Sequence, residues 1–338
     1  MLQVKQHREA LLRLLEPGTT DESLRADMIM HHAAHGPRIQ DSDMDGLDED
    51  AAQRLRALQI LQSTLGQTVG SSSPPTSPEM SPDISSPRSD HAIALHELRI
   101  HLPRLPPIRL LEAADSNEAT RSFQKQGEND PFGSKAWPSA YLVAERLLPE
   151  VCGRSVLELG CGTGLVSIAA QVGGAKSVLA TDRARQNLDC AQKSAKLNGI
   201  ELDVEVFDVT SDLPLPCKKF KAFDFVVFSD VLYWPAEAKA FARRAAEAYC
   251  AGSTVIVADP GRRREDFLGT LQMELESHMD PESVPRILPQ PTKFPDHVFD
   301  WVSKEVQTAS SLFCQEPFIL TLRPTTSDVM KGGFEIVD

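Results

Sequence analysis

The sequence VLELGCGTG at residues 156–164 predicts a buried strand followed by a tight turn. Apolar residues interrupted by one acid are typical of a parallel strand covered on both faces, where strict alternation is lost. Gly160, Gly162 and Gly164 let the chain turn sharply and bring bare backbone within reach of a ligand. The apolar, Ala-rich residues 165–172 predict a helix whose first N–H groups face the turn. Together these elements predict a nucleotide-type pocket.

Strands and helices alternate on the C-terminal side of this stretch. Strands are predicted at residues 155–159, 177–181, 203–207, 223–228 and 253–258, and helices at 164–172, 185–197, 236–249 and 265–277. This alternation is typical of a Rossmann-like, doubly wound α/β fold with helices on both faces of a mostly parallel sheet. Residues 298–306 and 318–322 offer two more strands, so we expect seven strands with an antiparallel C-terminal hairpin.

The N-terminal part of the chain has a different composition. Residues 71–90 are rich in Ser and Pro and cannot bury enough apolar surface to fold. Residues 97–102 and 108–111 predict a small hairpin, and Trp137-Pro138 predicts the start of a helix. We therefore divide the 338 residues into a largely disordered extension (1–96), a hairpin and lead-in (97–136), the α/β domain (137–325) and a tail (326–338).

Composition disfavours several function classes. The formal net charge of −13 disfavours unspecific binding to nucleic acid or to an anionic membrane surface, and no apolar run approaches the roughly 18 residues of a membrane span. The six cysteines form no CxxC pair, which predicts buried free thiols in a reducing compartment, cytoplasmic or alternatively mitochondrial or nuclear. Residues 41–46 match the start of a calcium loop, but Ala52 stands where the loop needs a bidentate Glu, so no metal site is predicted.

The spacing of the glycines bears on which nucleotide binds. A dinucleotide fingerprint needs a third glycine at position 165, where this chain has Leu, so NAD is disfavoured but not excluded. A Walker P-loop is excluded because no Gly-Lys-Ser/Thr follows. An acid before three alternating glycines, with Asp182 ending the next strand, suits S-adenosylmethionine, which has no phosphate and needs a carboxylate for its ribose diol. The alternative for Asp182 is a cap on the helix at 185–197.

These residues resemble the class I, seven-strand methyltransferases that use S-adenosylmethionine. More narrowly, residues 97–322 are similar to the protein-lysine methyltransferases of family 16 type, which include the calmodulin, valosin-containing-protein and electron-transfer-flavoprotein β-subunit enzymes. The resemblance is carried by Trp137-Pro138-Ser139-Ala140, the VLELGCGTGL stretch, Leu179-Ala180-Thr181-Asp182 and Ser229-Asp230-Val231-Leu232-Tyr233. Asp130-Pro131-Phe132 and Asp259-Pro260-Gly261-Arg262 point toward the electron-transfer-flavoprotein branch. Trp234-Pro235 and Val209 depart from the family pattern, which often has acids and a Trp there.

The resemblance implies a cofactor site and an acceptor site. The residues expected to bind S-adenosylmethionine or to wall its pocket are Trp137, Glu158, Gly160, Cys161, Gly162, Gly164, Asp182, Asp208 and Ser229. Glu158 is expected to hold the cofactor's ammonium, Asp182 its ribose, and Asp208 to lie near adenine. Asp230 and Tyr233 are the expected catalytic residues. Ordinary alternatives stay open, since Trp137 can pack in the core, Asp208 can begin a turn, and Asp230 can cap a turn beside a packed Tyr233.

Asp230 and Tyr233 follow a central strand, at the edge where open α/β sheets bind ligands. A lysine acceptor must lose a proton from a free pKa of about 10.4 before it can attack a methyl group. A dry pocket lowers that pKa, a carboxylate can orient the amine, and Tyr233 can present its ring face to a cation.

The expected function is therefore N-methylation of lysine side chains in a protein partner by a monomer that needs no metal, nucleic acid or membrane. Protein arginine or a small-molecule amine is an alternative acceptor. Two functions of other classes are an NAD-dependent oxidoreductase, disfavoured by Leu165, and an interaction protein that has lost turnover, disfavoured by the intact glycines. Residues 262–264, three consecutive arginines, are expected to form an ordinary solvated loop, with contact to an acidic patch on a partner as the alternative.

Overall fold

The computed structural model describes residues 39, 47, 55, 58, 94–114, 132–217, 222–304, 306–307 and 316–324. Predictions for most of residues 1–96, including the calcium-loop stretch, and those for Asp130-Pro131 and for the tail lie outside these described residues. Among the few described positions of the extension, Ile39, Leu55 and Leu58 are buried, and the last two are helical.

The chain divides into two compact units. One comprises Met1–Leu95 and Ala113–Pro131, of which few residues are described. The other comprises His96–Glu112 and Phe132–Asp338 and contains the seven-stranded sheet together with every candidate site residue.

The described elements follow the predicted alternation. They are β1 (Leu95–Ile100), β2 (Ile108–Ala113), α1 (Pro138–Leu147), β3 (Ser155–Leu159), α2 (Leu165–Val172), β4 (Ser177–Asp182), α3 (Arg185–Leu197), β5 (Asp203–Val206), β6 (Phe225–Ser229), α4 (Pro235–Cys250), β7 (Thr254–Asp259), α5 (Arg264–His278), β8 (Gln290–Pro291) and β9 (Phe318–Leu322). Two 3-10 helices, Phe132–Ser134 and Asp296–Asp300, complete the set.

The large sheet has the strand order β5-β4-β3-β6-β7-β9-β8. Strands β3 to β7 are parallel, whereas β9 runs antiparallel to both β7 and β8. The predicted mostly parallel seven-stranded sheet with an antiparallel C-terminal end is confirmed. The strand order reverses between β3 and β6, where Glu158 pairs with Val227. Ligands bind at such a switch point, beyond the carboxyl ends of the strands.

Alternate residues of the central strands belong to two separate hydrophobic cores, one on each face of the sheet. Val156 and Val227 pack with the buried faces of α1, α2 and α3, while Leu157 and Val226 pack with α4 and α5 on the other face. Both faces of the central strands are therefore covered, which explains why their sequences are almost wholly apolar.

Residues 298–306 do not form the predicted strand. Asp296–Asp300 is a 3-10 helix, and the sheet edge is completed by the short β8 instead. Val298, Val302 and Val306 are all buried, and the Gln307 N–H donates to the Ser303 carbonyl at 2.9 Å. Val298 lies in the 3-10 helix and Val306 at a helical position beyond a break at residues 301–303, so the three buried valines do not belong to one regular element.

Strands β1 and β2 pair in the predicted small sheet, and β2 is fastened to α3. The Leu111 N–H donates to the Ser194 hydroxyl at 2.9 Å, and the Asn198 amide exchanges two hydrogen bonds with the Arg109 backbone. The buried Glu112 then accepts a hydrogen bond from the Ala136 N–H at 3.0 Å. This hydrogen bond connects β2 to residues 132–137, which precede α1 and which we call the lead-in segment from here on.

The described cysteines are free thiols of mixed exposure. Cys161 and Cys190 are buried, but Cys152 and Cys217 are exposed, so the prediction of burial is wrong for the latter two. Within the described ranges, no helix has the length and apolar character needed to cross a membrane. The same residues contain no group of three or more His, Cys, Asp or Glu side chains that could hold a metal ion.

Candidate active site

The glycine loop, residues 160–164, connects β3 to α2. Gly160, Gly162 and Gly164 have φ angles of 67°, 51° and 85°, in the left-handed region that favours glycine. A Cβ on Gly162 would lie 3.0 Å from the carbonyl oxygen of Gly133, and one on Gly160 would lie 3.0 Å from Val231. The loop therefore packs directly against two segments that are remote in the sequence.

Glu158 lies beneath the glycine loop and is 2% exposed. Its carboxylate accepts hydrogen bonds from the backbone N–H and the hydroxyl of Ser167, in the first turn of α2. Burial raises the pKa of Glu158 to about 8, although the hydrogen bonds from Ser167 act in the opposite direction. The acid thus satisfies a helix N–H that has no partner within the helix, a role that the sequence analysis did not assign to it.

Asp182 ends β4 and faces the glycine loop. One oxygen accepts the Gly162 N–H at 3.0 Å, and the other accepts the Ala184 N–H at 2.9 Å and the Asn187 amide at 3.1 Å. Asp182 therefore links the loop to the start of α3. These contacts go to the residue before α3 and to a side chain of its first turn rather than to the backbone N–H groups of the helix, and they hold the carboxylate beside the glycine turn.

Polar groups at the start of α3 lack partners. Both polar atoms of the Gln186 side chain and the amide oxygen of Asn187 are buried without a hydrogen-bond partner among the described residues. Buried polar groups are normally paired, so these atoms are available to a ligand. The amide oxygens of Gln186 and Asn187 are acceptors, as are the carboxylates of Glu158 and Asp182, and these acceptors fit S-adenosylmethionine, whose ammonium, ribose hydroxyls and base amine are donors.

The lead-in segment covers this region with aromatic side chains. The Trp137 indole N–H donates to the Phe132 carbonyl at 2.9 Å, which fixes the segment ahead of α1. Phe132 stacks on Tyr233 with ring centroids 5.2 Å apart, and Trp137 meets the same ring edge-on at 6.4 Å. Both predicted site aromatics therefore lie together, with Phe132 as a third member that only the resemblance had singled out.

Three other predicted cofactor residues have distinct surroundings. Cys161 is buried in the glycine loop, and burial raises the pKa of its thiol. Ser229 is the last residue of β6 and is 9% exposed. Asp208 is exposed, and one of its oxygens accepts the Thr210 N–H at 2.8 Å and hydroxyl at 2.7 Å. Asp208 thus organises the turn after β5, as its alternative reading requires.

Asp230 has an unusual backbone at the end of β6. Its φ angle is 55°, a left-handed conformation that is uncommon for a residue with a Cβ and typical of functional sites. Its N–H donates to the Ala258 carbonyl at 3.0 Å, and its carboxylate accepts the Ser139 hydroxyl at 2.9 Å. The other carboxylate oxygen is bonded to Arg262. Asp230 is therefore held from α1, β7 and the loop that follows β7.

Arg262 is the main residue that the sequence analysis placed wrongly. Its side chain is 8% exposed and bridges Asp230 and Asp259, so it does not belong to a solvated loop. Burial by itself would lower the pKa of Arg262, but the two carboxylates raise it above its ordinary range. Burial likewise raises the pKa of Asp259, against the lowering effect of Arg262. The guanidinium carbon lies 4.4 Å from the Tyr233 ring centroid and 6.0 Å from that of Trp137.

A sequence signal for this cluster was present. Asp259 directly follows a predicted strand at the ligand-binding edge, and an arginine three residues after a buried acid can fold back onto it. The register of β6 and β7, which pairs Ser229 with Ala258, then sets Asp230 beside Asp259. We call Asp230, Tyr233, Asp259 and Arg262 the acceptor side, and Glu158, Asp182 and the glycine loop the cofactor side.

Comparison with known proteins agrees with this geometry. Residues 144–255 match the family described as ribosomal protein L11 methyltransferase (PrmA). The chain contains a PrmA-type methyltransferase domain. The matched residues include the glycine loop, Asp182 and the Asp230 loop, and the cofactor of this family is S-adenosylmethionine, as predicted. The assignment to the class I methyltransferases is confirmed.

Several curated proteins are similar to parts of this domain. Electron transfer flavoprotein beta subunit lysine methyltransferase from Danio rerio is 32% identical over 146 residues, 39% of this chain and 51% of that protein. The Rattus norvegicus protein of the same name is 32% identical over 138 residues, 40% of this chain and 52% of its own length. The chain thus spans about half the length of these relatives.

Two bacterial proteins give shorter or more distant matches. Ribosomal protein L11 methyltransferase from Pseudomonas paraeruginosa is 38% identical over 84 residues, 25% of this chain and 29% of that protein. The solved structure of ribosomal protein L11 methylase from Lactobacillus delbrueckii subsp. bulgaricus matches with a TM-score of 0.36 and 20% identity, over 55% of this chain and 77% of that chain.

Proposed function

We propose that this methyltransferase domain methylates lysine side chains of a protein substrate. The observation that carries the proposal is the contact between the two sides of the site. A Cβ on Gly160 would lie 3.0 Å from Val231, the residue after Asp230, so the cofactor side and the acceptor side abut. The two sides adjoin because β3 and β6 are neighbours at the switch point of the sheet.

The residues of the acceptor side suit an amine acceptor. When bound, S-adenosylmethionine supplies a methyl group: the amine nitrogen forms a bond to the methyl carbon as the carbon–sulfur bond breaks, S-adenosylhomocysteine leaves, and the methylated ammonium releases one proton. Asp230, held by Ser139 and Arg262, is placed to orient the amine, and Phe132, Trp137 and Tyr233 wall the site with apolar surface. Holding the reacting groups in line supplies much of the rate enhancement in such a transfer.

The names of the relatives support a protein acceptor. Two are lysine methyltransferases of the electron transfer flavoprotein beta subunit, and a third is a methyltransferase of ribosomal protein L11. The first acceptor to test is therefore the flavoprotein β subunit, with ribosomal protein L11 as the second.

The full chain is incubated with methyl-labelled S-adenosylmethionine and either acceptor, and the labelled residues are located by mass spectrometry. We expect label on lysine of one acceptor. If neither is labelled, the same incubation with a cell lysate decides between acceptor classes. Label confined to protein arginine or to a small amine contradicts the lysine assignment. Cofactor binding without any labelled product supports the interaction protein instead.

A further inference from the structure

Arg262 occupies the position that the sequence analysis reserved for a substrate cation. Tyr233 was expected to offer its ring face to a protonated lysine, yet the Arg262 guanidinium already lies 4.4 Å from the centroid of that ring. The same guanidinium is bonded to Asp230, the carboxylate expected to orient the acceptor. One cation of the chain therefore uses both groups that a cationic acceptor would use.

Two ion pairs hold the Arg262 side chain beside the Tyr233 ring, so an incoming acceptor cannot easily displace it. It bridges two carboxylates, Asp230 and Asp259, which are 2% and 1% exposed. Removing one partner of a buried ion pair leaves an uncompensated buried charge, which is strongly destabilising. Moving Arg262 away would leave two such charges, so displacement of the guanidinium is costly.

We propose that Arg262 is a specificity-determining residue that keeps a second cation off Tyr233 and admits the acceptor amine only in its neutral form. This inference rests on the proposed methyl transfer to an amine. The neutral form is also the only one with a lone pair for the displacement, so Arg262 selects the reactive species.

The Arg262 guanidinium opposes the effect of the two carboxylates around it, which by themselves would raise the pKa of an acceptor amine. Among the described residues, those facing Arg262 are Asp230 and Tyr233 from the loop after β6 and Asp259 from the end of β7; α1 and the lead-in segment contribute the uncharged Ser139 and Trp137. A nearby like charge lowers the pKa of an amine, and lysines beside a cationic group are activated in this way. The Asp230 oxygen that accepts the Ser139 hydroxyl has a second lone pair, which can accept a hydrogen bond from a neutral amine.

The first test is the pH dependence of kcat/KM with the flavoprotein β subunit as acceptor. In the wild-type chain kcat/KM rises with pH as the acceptor amine loses its proton. Arg262→Met removes the cation, so we expect the midpoint of this rise to move up by about one pH unit or more. At pH 7 this corresponds to a loss of about 10-fold or more, which alkaline pH recovers. Arg262→Lys keeps the charge and is expected to keep the wild-type midpoint.

Two further variants separate charge from structure. Arg264→Met removes a neighbouring arginine that pairs with the exposed Glu316, and it is expected to leave the pH profile unchanged. If Arg262→Met is too unstable, Arg262→Met combined with Asp259→Asn removes the cation together with one of its carboxylates, and it is expected to show the same upward shift. An equal loss of kcat/KM at every pH, or the same shift in Arg262→Lys, would overturn the proposal.

The second test needs no acceptor protein, so it distinguishes failure of this inference from failure of the proposed function. The chain has only three tyrosines, and labelling with 3-fluorotyrosine, with Tyr233→Phe for assignment, isolates the fluorine resonance of Tyr233. At pH 7, n-butylammonium serves as a lysine side-chain probe. We expect it to shift that resonance in Arg262→Met but not in the wild-type chain. A shift in the wild type, or in neither protein, would overturn the proposal.

Discussion

The cofactor side and the acceptor side each contain two buried carboxylates, but the two pairs are held by different groups. Glu158 and Asp182 accept hydrogen bonds from backbone N–H groups, a hydroxyl and an amide. Asp230 and Asp259 share the guanidinium of Arg262. On the cofactor side the positive charge has to come with the ligand, as the ammonium of S-adenosylmethionine does. On the acceptor side the protein supplies a cation of its own, Arg262, for the two carboxylates.

The two sides also differ in how the sequence encodes them. The cofactor side is built from residues 158–182, within one strand-turn-helix-strand unit. The acceptor side joins residues from α1, the loop after β6 and the loop after β7, which meet only through the register of the sheet. A change on the cofactor side should therefore impair cofactor binding, whereas a change on the acceptor side should impair transfer alone.

The largest effect is expected for Gly162→Val. The new side chain would have a left-handed φ and would meet the Gly133 backbone at 3.0 Å. Backbone strain of about 1–3 kcal/mol and displacement of the lead-in segment should weaken binding of S-adenosylhomocysteine by at least about 100-fold in calorimetry. Gly199→Val is the matched control, because Gly199 also has a left-handed φ, 71°, but a Cβ there meets nothing within 4 Å. A similar loss of binding in Gly199→Val would show that strain alone is responsible.

The next largest effect is expected for Asp230→Asn. Misplacing the acceptor amine should lower kcat by about 100-fold, while the dissociation constant of the cofactor stays within about two-fold. Asp224→Asn is the control, since Asp224 lies just before the opposite end of β6 and binds the Ser155 N–H at 2.8 Å. Weaker cofactor binding in Asp230→Asn would contradict the separation of the two sides.

Glu158→Gln should change how stability depends on pH. The pKa of Glu158 is about 8 in the folded chain against an ordinary 4.5, so the folded state binds its proton more tightly than the unfolded state does. The contribution of Glu158 to the free energy of unfolding is therefore complete below pH 4.5 and is lost as the pH rises through 8. Urea unfolding at several pH values between 5 and 8 should show a decline, on the order of a few kcal/mol in all, that is flatter in Glu158→Gln.

Glu97→Gln is a suitable control for that experiment. The hydrogen bond from Arg109 lowers the pKa of Glu97, so this residue does not titrate between pH 5 and 8. An unchanged slope in Glu158→Gln would mean that Glu158 is ionised in the folded chain without its ligand. That result would mean that Glu158 already carries a negative charge before the ammonium of the cofactor arrives.

The smallest effect is expected for Asp208→Asn. Asparagine keeps the oxygen that accepts both hydrogen bonds from Thr210, and the side chain is exposed, so cofactor affinity should fall by less than about three-fold. A loss of more than about ten-fold would show that the cofactor needs the negative charge of Asp208. In that case the cofactor side extends to the end of β5.

Much of the fold could be predicted because its signals are local. The five central strands and the helices between them lie within a few residues of their predicted positions, since buried apolar runs and glycine turns act over short distances. The exception, residues 298–306, contains β-branched valines whose spacing of four is compatible with one face of a strand or of a helix. Packing of all three valines into the core decided between these tendencies.

The candidate site also contains a part that the local sequence determines and a part that depends on the tertiary structure. The sequence by itself determined the glycine loop, Glu158 and Asp182, because a left-handed backbone and an acid at a strand end are properties of single residues and their neighbours. Only the tertiary structure decided the acceptor side. The pairing of Ser229 with Ala258 brings Asp230 to Asp259. The two carboxylates attract the Arg262 guanidinium, and charges interact more strongly in a buried site of low dielectric constant, so Arg262 lies between them rather than in solvent.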